Sequence, residues 1–155
     1  MNTLSYKTIS VSKEAAREQK VWVVIDATDQ VVGRLASKVA KIIRGKYKAT
    51  FTPNQDCGDN VIIINASKIE FSGNKWADKE YITFSGYPGG QHRVTAEKQA
   101  KKPYGYERIL RHAVKGMLPK GRLGDKILGN LYIFDGAEHD KQAQSPKTID
   151  INALK

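Results

Sequence analysis

The sequence predicts an α/β fold, in which a parallel or mixed sheet carries helices on its faces. Two dense apolar runs of strand length, at residues 21–25 and 61–64, are the first observation. The second is a pair of amphipathic segments, at residues 32–44 and 103–117, with the spacing of apolar residues that is typical of helices. Because strands and helices alternate along the chain, helices are expected to cover the sheet.

The first half of the chain begins with a short predicted helix over residues 12–18. The strand at residues 21–25 follows, and it ends where the sequence turns polar. In the helix at residues 32–44, apolar side chains share one face and cations share the other, and Gly45 is the expected C-terminal cap. The run at residues 61–64 is continuously apolar, which predicts a strand covered on both sides.

The second half adds a strand, two helices and a final strand. Residues 79–85 alternate like a strand before a glycine-rich turn at residues 86–90. Helices are predicted over residues 95–102 and 103–117, and residues 131–134 form the last apolar run of strand length.

The helix at residues 103–117 carries two opposed faces. Its apolar stripe consists of Ile109, Leu110, Ala113, Val114 and Met117. Its other face carries Arg108, Arg111, His112 and Lys115. The sequence predicts that this helix stops in a basic, glycine-punctuated loop over residues 116–124, which includes Lys120 and Arg122.

Composition points to one basic domain. The chain has 155 residues and a formal charge of +10, with a sequence pI near 9.7. Basic residues concentrate in residues 1–50 and 103–130. We predict an N-terminal extension over residues 1–20, a single α/β domain over residues 21–136, and a polar C-terminal tail over residues 137–155.

Several classes of protein are excluded by the sequence. No run of about 18 apolar residues could span a membrane, and the first residues lack the apolar core of a secretory signal. Cys57 is the single cysteine, which fits a reducing cytosol. A cytoplasmic protein is therefore expected.

The predicted helix at residues 32–44 and the residues after it lack acidic partners for their cations. No Asp or Glu lies between Gln30 and Gln55, whereas six cations do: Arg34, Lys38, Lys41, Arg44, Lys46 and Lys48. A merely solvated face usually mixes both signs of charge. A second acid-poor helix face favours contact with nucleic-acid phosphates. RNA is favoured over DNA, because no helix-turn-helix, zinc-ligand or zipper motif is present.

Several sequence blocks then resemble a known family. They include the Trp-Val-Val-Ile-Asp-Ala block from residue 22, the Ser-Gly-Tyr-Pro-Gly-Gly block from residue 85, and the Ala-Val-Lys-Gly-Met-Leu-Pro-Lys block from residue 113. In this order and spacing the chain resembles the thirteenth large-subunit ribosomal protein, in its bacterial form, from about Val21 to Pro146.

The resemblance implies a three-layer α/β/α fold with a small, mainly parallel sheet of about four strands. It also implies a structural protein of the large ribosomal subunit that binds large-subunit ribosomal RNA early in assembly, without catalytic activity or a cofactor. Its partners would be that RNA and neighbouring large-subunit ribosomal proteins, rather than copies of itself.

The candidate RNA contacts combine the cationic helix faces with the motif residues. They are Arg34, Lys38, Lys41, Arg44, Lys46, Lys48, Lys75, Tyr87, Gly89, Gly90, His92, Arg93, Arg108, Arg111, Lys115, Lys120 and Arg122. The sequence departs from the family pattern at Asn54, at Asp125 and around His139, so contacts near Asp125 and His139 are not implied.

Two short motifs and one tryptophan allow other interpretations. Gly89-Gly90-Gln91 matches the tripeptide that release factors use to hydrolyse peptidyl-tRNA, but a turn explains its glycines. The Gly-Arg-Leu-Gly sequence at residues 121–124 is either a phosphate-clamping loop of the KH type or a helix-capping turn. Trp76 either stacks on a base or covers a hydrophobic edge.

Magnesium-dependent catalysis was the remaining alternative. It would use acidic side chains that follow strands or lie in loops, namely Asp26, Asp29, Asp56 and Asp59. Such residues more often cap helices and fix turns. The histidines and Cys57 show no zinc spacing.

Overall fold

A four-stranded parallel sheet forms the centre of the fold. The structure, a computed structural model, describes residues 11–151. In this part of the chain the strands are β1 Trp22–Asp26, β2 Asn60–Ile64, β3 Glu80–Phe84, β4 Gln91–Thr95, β5 Leu131–Ile133 and β6 Lys147–Thr148. The α-helices are α1 Lys13–Glu18, α2 Val32–Arg44, α3 Lys75–Asp78, α4 Ala96–Ala100, α5 Gly105–Met117 and α6 Arg122–Leu128.

The sheet has the strand order β5-β2-β1-β6, and every neighbouring pair is parallel. The two predicted apolar runs became the central strands, with Val24 opposite Ile62 in the register of β1 on β2. Central parallel strands are buried on both faces, which explains why these runs contain no polar alternation. The predicted three-layer α/β class is confirmed.

Helices α2 and α5 cover one face of the sheet. Strand residues such as Ile25 and Ile63 are fully buried there, in one cluster with Leu35 of α2 and Leu110 of α5. On the opposite face Val24 and Ile62 are buried as well. There the rings of Trp22 and Tyr132 lie 5.3 Å apart, and Lys141 Nζ lies 5.6 Å from the Tyr132 ring.

Helix α2 has the predicted bounds and the predicted cap. Gly45 has a φ of 77° and donates its backbone N–H to the carbonyl oxygens of Lys41 and Ile42. A side chain at this position would also come within 2.7 Å of the Cys57 carbonyl oxygen. Glycine is therefore required at residue 45 by its backbone conformation and by the close approach of a neighbouring loop.

The predicted third strand forms, but it is not part of the four-stranded sheet. Strand β3 pairs with β4 in a separate antiparallel hairpin, and β4 was not predicted. The fourth strand of the main sheet is instead β6, which lies in the segment predicted as a polar tail. Its pairing is extended by the Ile149 N–H, which donates to the Val24 carbonyl oxygen at 2.9 Å.

The bounds predicted for the basic loop, residues 116–124, are wrong at both ends. Helix α5 continues through Met117, and α6 begins at Arg122, so only residues 118–121 separate them. Gly124 lies inside α6, where an added Cβ would be 1.8 Å from the Pro119 carbonyl oxygen. Met117, predicted on the buried stripe of α5, is 45% exposed. Among residues 11–151, no helix is long and apolar enough to cross a membrane.

Candidate nucleic-acid interface

A cleft opens at the edge of the sheet where β1 and β2 end. It has a volume of about 630 Å³ and lies between the start of α2, helix α3 and the second half of α5. Arg34, Lys75, Lys79 and His112 line it. Three separate elements therefore bring positive or titratable side chains to one place, and no Asp or Glu of the described chain is among the lining residues.

Aromatic rings form part of the wall of this cleft. The ring of Tyr81 lies 5.3 Å from that of His112 at a near-perpendicular angle, and Lys79 Nζ lies 5.5 Å from the Tyr81 centroid. Burial raises the pKa of the Tyr81 hydroxyl, so this group remains a neutral hydrogen-bond donor near pH 7. Trp76 packs edge-on against Phe71 at 4.8 Å and contacts the core. Of its two predicted roles, Trp76 therefore fills that of covering a hydrophobic edge.

Two smaller clefts extend this surface on either side. One shares Arg34 and reaches Lys38. The other shares Tyr81 and His112 and reaches Lys102 and Arg108. We call the combined area the carboxyl-edge surface, defined by Arg34, Lys38, Lys75, Lys79, Tyr81, Lys102, Arg108 and His112.

The carboxyl-edge surface brings together four of the predicted contacts, Arg34, Lys38, Lys75 and Arg108. Lys79 and Lys102 were missed, because they lie outside the two long helices and no periodic pattern marks them. Lys38 is also used internally, since its Nζ donates to the Ile151 carbonyl oxygen at 2.7 Å.

The remaining cations of the α2 region differ in their surroundings. Lys41 and Lys46 are exposed, whereas the guanidinium of Arg44 lies 5.7 Å from the Phe51 ring. Lys48 turns inward, and its Nζ lies 2.6 Å from Oδ1 of Asp59. Lys48 is thus occupied inside the protein and is left out of the contact surface proposed below.

Asp59 is the centre of a buried polar cluster. It is 1% exposed and accepts hydrogen bonds from Lys48, from the Tyr47 hydroxyl and from the Val21 N–H. Burial raises the pKa of the Asp59 carboxyl and lowers the pKa of the Lys48 ammonium, because both charged forms lose water. The ion pair and the hydrogen bonds oppose that cost.

The predicted cations of α5 and the residues after it are partly neutralised by nearby acids. Arg111 contacts Glu107 at 2.8 Å, and it also donates to the Leu131 carbonyl oxygen at 3.4 Å. Lys115 lies 3.6 Å from Asp125, the residue at which the sequence departs from the family pattern. Lys120 and Arg122 are exposed.

The β3–β4 hairpin holds the other predicted contacts away from the cleft floor. Tyr87 is 75% exposed at the turn, next to Phe84 on β3. Gly89 has a φ of 73°, and Gly90 leaves no room for a side chain beside Ser85. His92 and Arg93 lie exposed on β4, and Arg93 is 3.6 Å from Glu80.

Three of the four acidic residues considered for magnesium, Asp26, Asp56 and Asp59, have structural partners. Asp26 accepts hydrogen bonds from the Thr28 amide and hydroxyl and from the Asn65 side chain. Burial works to raise the pKa of Asp26, but these hydrogen bonds outweigh it and hold the pKa below its usual value. Asp56 is paired with Lys20 at 2.7 Å. Within residues 11–151, no group of three or more His, Cys, Asp or Glu side chains could hold a metal ion.

The two short motifs are also accounted for by local structure. Gly89 and Gly90 form the hairpin turn, and Gln91 begins β4. Gly121, with a φ of 110°, precedes the first residue of α6. The helix-capping interpretation of residues 121–124 is therefore favoured over a clamping loop.

Comparison with known proteins gives matches over most of the chain. The family described as ribosomal protein L13 matches residues 20–140. The large ribosomal subunit protein uL13 of Magnetococcus marinus is 50% identical over 141 residues, which cover 91% of this chain and 96% of that protein. The large ribosomal subunit protein uL13 of Rippkaea orientalis is 52% identical over 149 residues, which cover 96% of this chain and 95% of that protein. The large ribosomal subunit protein uL13 of Salinibacter ruber is 46% identical over 151 residues, which cover 97% of this chain and 99% of that protein.

These matches confirm the resemblance stated from the sequence motifs. They identify a structural component of the large ribosomal subunit rather than an enzyme. The matched region, residues 20–140, contains strands β1 to β5 and helices α2 to α6. The chain belongs to the ribosomal protein L13 family.

Proposed function

We propose that this chain binds large-subunit ribosomal RNA directly, through the carboxyl-edge surface and the β3–β4 hairpin. The observation that carries the proposal is the cleft in which Arg34, Lys75, Lys79 and His112 converge beside Tyr81, with no carboxylate of residues 11–151 lining it. Four such side chains brought together from α2, α5 and the α3 segment are poorly explained as scattered solubilising residues.

The chemistry of the surface fits folded RNA with some unstacked bases. Lysine and arginine side chains on rigid helices would contact phosphates, which position a protein without reading sequence. The exposed rings of Phe84 and Tyr87 offer flat apolar faces on which bases stack. Four other exposed predicted contacts would add to the phosphate contacts, namely Lys41, Lys46, Arg93 and Lys120.

The proposal extends to a place in subunit assembly. The buried cluster of the sheet, α2 and α5 is built from this chain alone, with residues such as Ile25, Leu35 and Leu110 fully buried. A domain with its own core needs no protein partner to present the carboxyl-edge surface. We therefore propose that it binds ribosomal RNA early, in the cytoplasm, and that neighbouring large-subunit proteins dock afterwards.

The test compares two double variants in binding to a large-subunit ribosomal RNA fragment. Arg34→Ala with Lys75→Ala removes two proposed phosphate contacts, whereas Lys98→Ala with Lys147→Ala removes two exposed cations outside the surface. Each lost contact lowers the slope of log affinity against log salt by roughly 0.7–0.9. We expect the first pair to lose roughly 1.4–1.8 in slope, and roughly 25- to 60-fold in affinity at about 0.1 M salt.

Equal affinities and equal slopes for the two double variants would contradict the proposed surface. Sedimentation of cell extract gives an independent check on the assembly role. The full chain should travel with large-subunit precursors, and the Arg34→Ala, Lys75→Ala variant should be depleted from the earliest of them.

A further inference from the structure

A second basic groove lies at the opposite end of the sheet. It is lined by residues from the segments that lead into three strands, Lys20 two residues before β1, Asp56 four residues before β2 and Asn130 directly before β5, and it has a volume of about 380 Å³. Helices α1 and α6 flank it. Lys13 and Arg17 of α1 and Arg122 and Lys126 of α6 are among its lining residues. We call this the amino-edge groove, and of these four cations only Arg122 was predicted as an RNA contact.

The floor of the groove is a fixed polar cluster. Lys20 Nζ lies 2.7 Å from Oδ2 of Asp56 and 3.2 Å from Oδ1 of Asn130, and the Asn130 amide donates back to Asp56. The side chain of Asp56 is only 7% exposed. Because Lys20 already neutralises Asp56, the acid does not cancel the four cations on the rim.

The arrangement of these four cations creates charge repulsion in the free protein. Lys13 and Arg17 are four residues apart on α1, and Arg122 and Lys126 are four residues apart on α6, so like charges are neighbours on each helix. Elsewhere the same spacing joins opposite charges, as for Glu107 with Arg111. Among residues 11–151, no carboxylate forms an ion pair with any of the four rim cations. A bound polyanion would relieve this repulsion.

The lining also indicates which part of a nucleic acid fits. Its apolar members are Ala16 and Leu123, and no aromatic ring of the described chain lines the groove. Phosphates and riboses can bind there, whereas base stacking has no platform. Gln55 also lines the groove, and its Oε1 is buried without a donor in the described chain.

We propose that the amino-edge groove is a second RNA site, which holds the sugar–phosphate backbone of a segment different from the one at the carboxyl-edge surface. This inference rests on the proposed function and extends it. The two sites lie at opposite ends of five-residue strands, so at least about 17 Å of protein separates them. One rigid domain would thereby tie two RNA segments together.

Directed hydroxyl-radical probing on the ribosomal RNA complex tests whether two segments are held. Cys57 is buried, so cysteines introduced by Glu14→Cys beside the amino-edge groove and by Ser72→Cys in the cleft can each carry a tethered iron chelate. We expect cleavage at two separate sets of nucleotides. Cleavage of one shared set, or cleavage from residue 72 alone, would overturn the second site while leaving the proposed function standing. Silence from both positions would overturn both.

Affinity provides the second measurement. Arg17→Ala with Lys126→Ala should lower the salt slope by roughly 1.4–1.8 and the affinity roughly 25- to 60-fold at about 0.1 M salt. The Lys98→Ala, Lys147→Ala control should leave both unchanged, and circular dichroism would show that the variants are folded. Cleavage from residue 72 should persist in the Arg17→Ala, Lys126→Ala variant. A slope equal to that of the control would contradict the second site.

Discussion

Lys48 Nζ lies 2.6 Å from Oδ1 of Asp59, and the two side chains are 14% and 1% exposed. Lys48 also donates to the Gln19 carbonyl oxygen at 3.0 Å, so it joins the segment before β1 to the loop before β2. Two residues away, Lys46 is exposed. Neighbouring lysines in one basic stretch therefore serve different purposes, one holding the fold and the other available to solvent.

Lys48→Ala should destabilise the protein by about 3–5 kcal/mol, because it leaves the Asp59 carboxylate buried without its ion-pair partner. A urea titration followed by circular dichroism measures this loss. Lys46→Ala is the matched control, with unchanged unfolding but roughly five- to eightfold weaker RNA binding at about 0.1 M salt. The assignment fails if Lys48→Ala unfolds like the wild type.

Gly58→Ala should destabilise the protein by about 1–3 kcal/mol or more, because overpacking strains a closed core. A Cβ at residue 58 would lie 1.6 Å from the Ile43 carbonyl oxygen, which is backbone and cannot rotate away. In contrast, Gly33→Ala meets nothing within 4 Å inside α2, and should raise stability by about 0.5–1 kcal/mol. Thermal unfolding of both variants checks the contrast, and equal melting temperatures would refute it.

Lys38→Met should loosen the pairing of the edge strand β6 with β1. The change removes the hydrogen bond from the Lys38 ammonium to the Ile151 carbonyl oxygen but keeps most of the aliphatic side chain. The Ile149 amide, bonded to Val24 across that edge, should exchange with solvent faster than in the wild type. Amides of β2 should keep their protection and serve as the internal reference. Unchanged exchange at Ile149 would show that Lys38 does not hold this edge.

Tyr87→Ala should weaken RNA binding by about 1–3 kcal/mol, the contribution of one stacked base. The side chain is 75% exposed, so the melting temperature should stay unchanged. Ile82→Ala removes an exposed apolar side chain from the same hairpin without removing a ring, and its RNA affinity should match that of the wild type. Equal losses for both variants would indicate a general hairpin effect instead of stacking.

The sequence predicts those elements whose local pattern and tertiary surroundings agree. Helix α2 has an apolar stripe and a glycine in the left-handed conformation after its last residue, so both its period and its end are visible. The central strands β1 and β2 are apolar except for Asp26 at the end of β1 and Asn60 at the start of β2, because both of their faces are buried.

Elements defined by pairing alone were not predictable. Strand β4 is polar and largely exposed, and it is a strand because it pairs with β3. Strand β6 contains only Lys147 and Thr148, and nothing in these two residues indicates a sheet. Helix α6 was obscured by Gly124, which normally argues against a helix but is required here by the approach of Pro119.

The candidate site also combines features that a local pattern indicates with features that depend on distant contacts. Sequence identifies which residues carry positive charge, but the pairing of that charge depends on contacts between distant residues. Lys48 and Asp59 are eleven residues apart and Lys20 and Asn130 are far more distant, and no local pattern indicates either contact. Lys13, Arg17 and Lys126 on the rim of the amino-edge groove were missed for this reason, because α1 and α6 flank one groove only in the folded chain.

The parallel pairing of β6 on β1 has a consequence for biosynthesis. One side of β1 is joined to β2 within the first 64 residues, but its other side has no strand beside it until residue 148 has been made. Throughout the intervening elongation, the nascent chain presents a bare row of amide and carbonyl groups that could recruit a foreign strand. That row can close only after Lys147 and Thr148 have been synthesised.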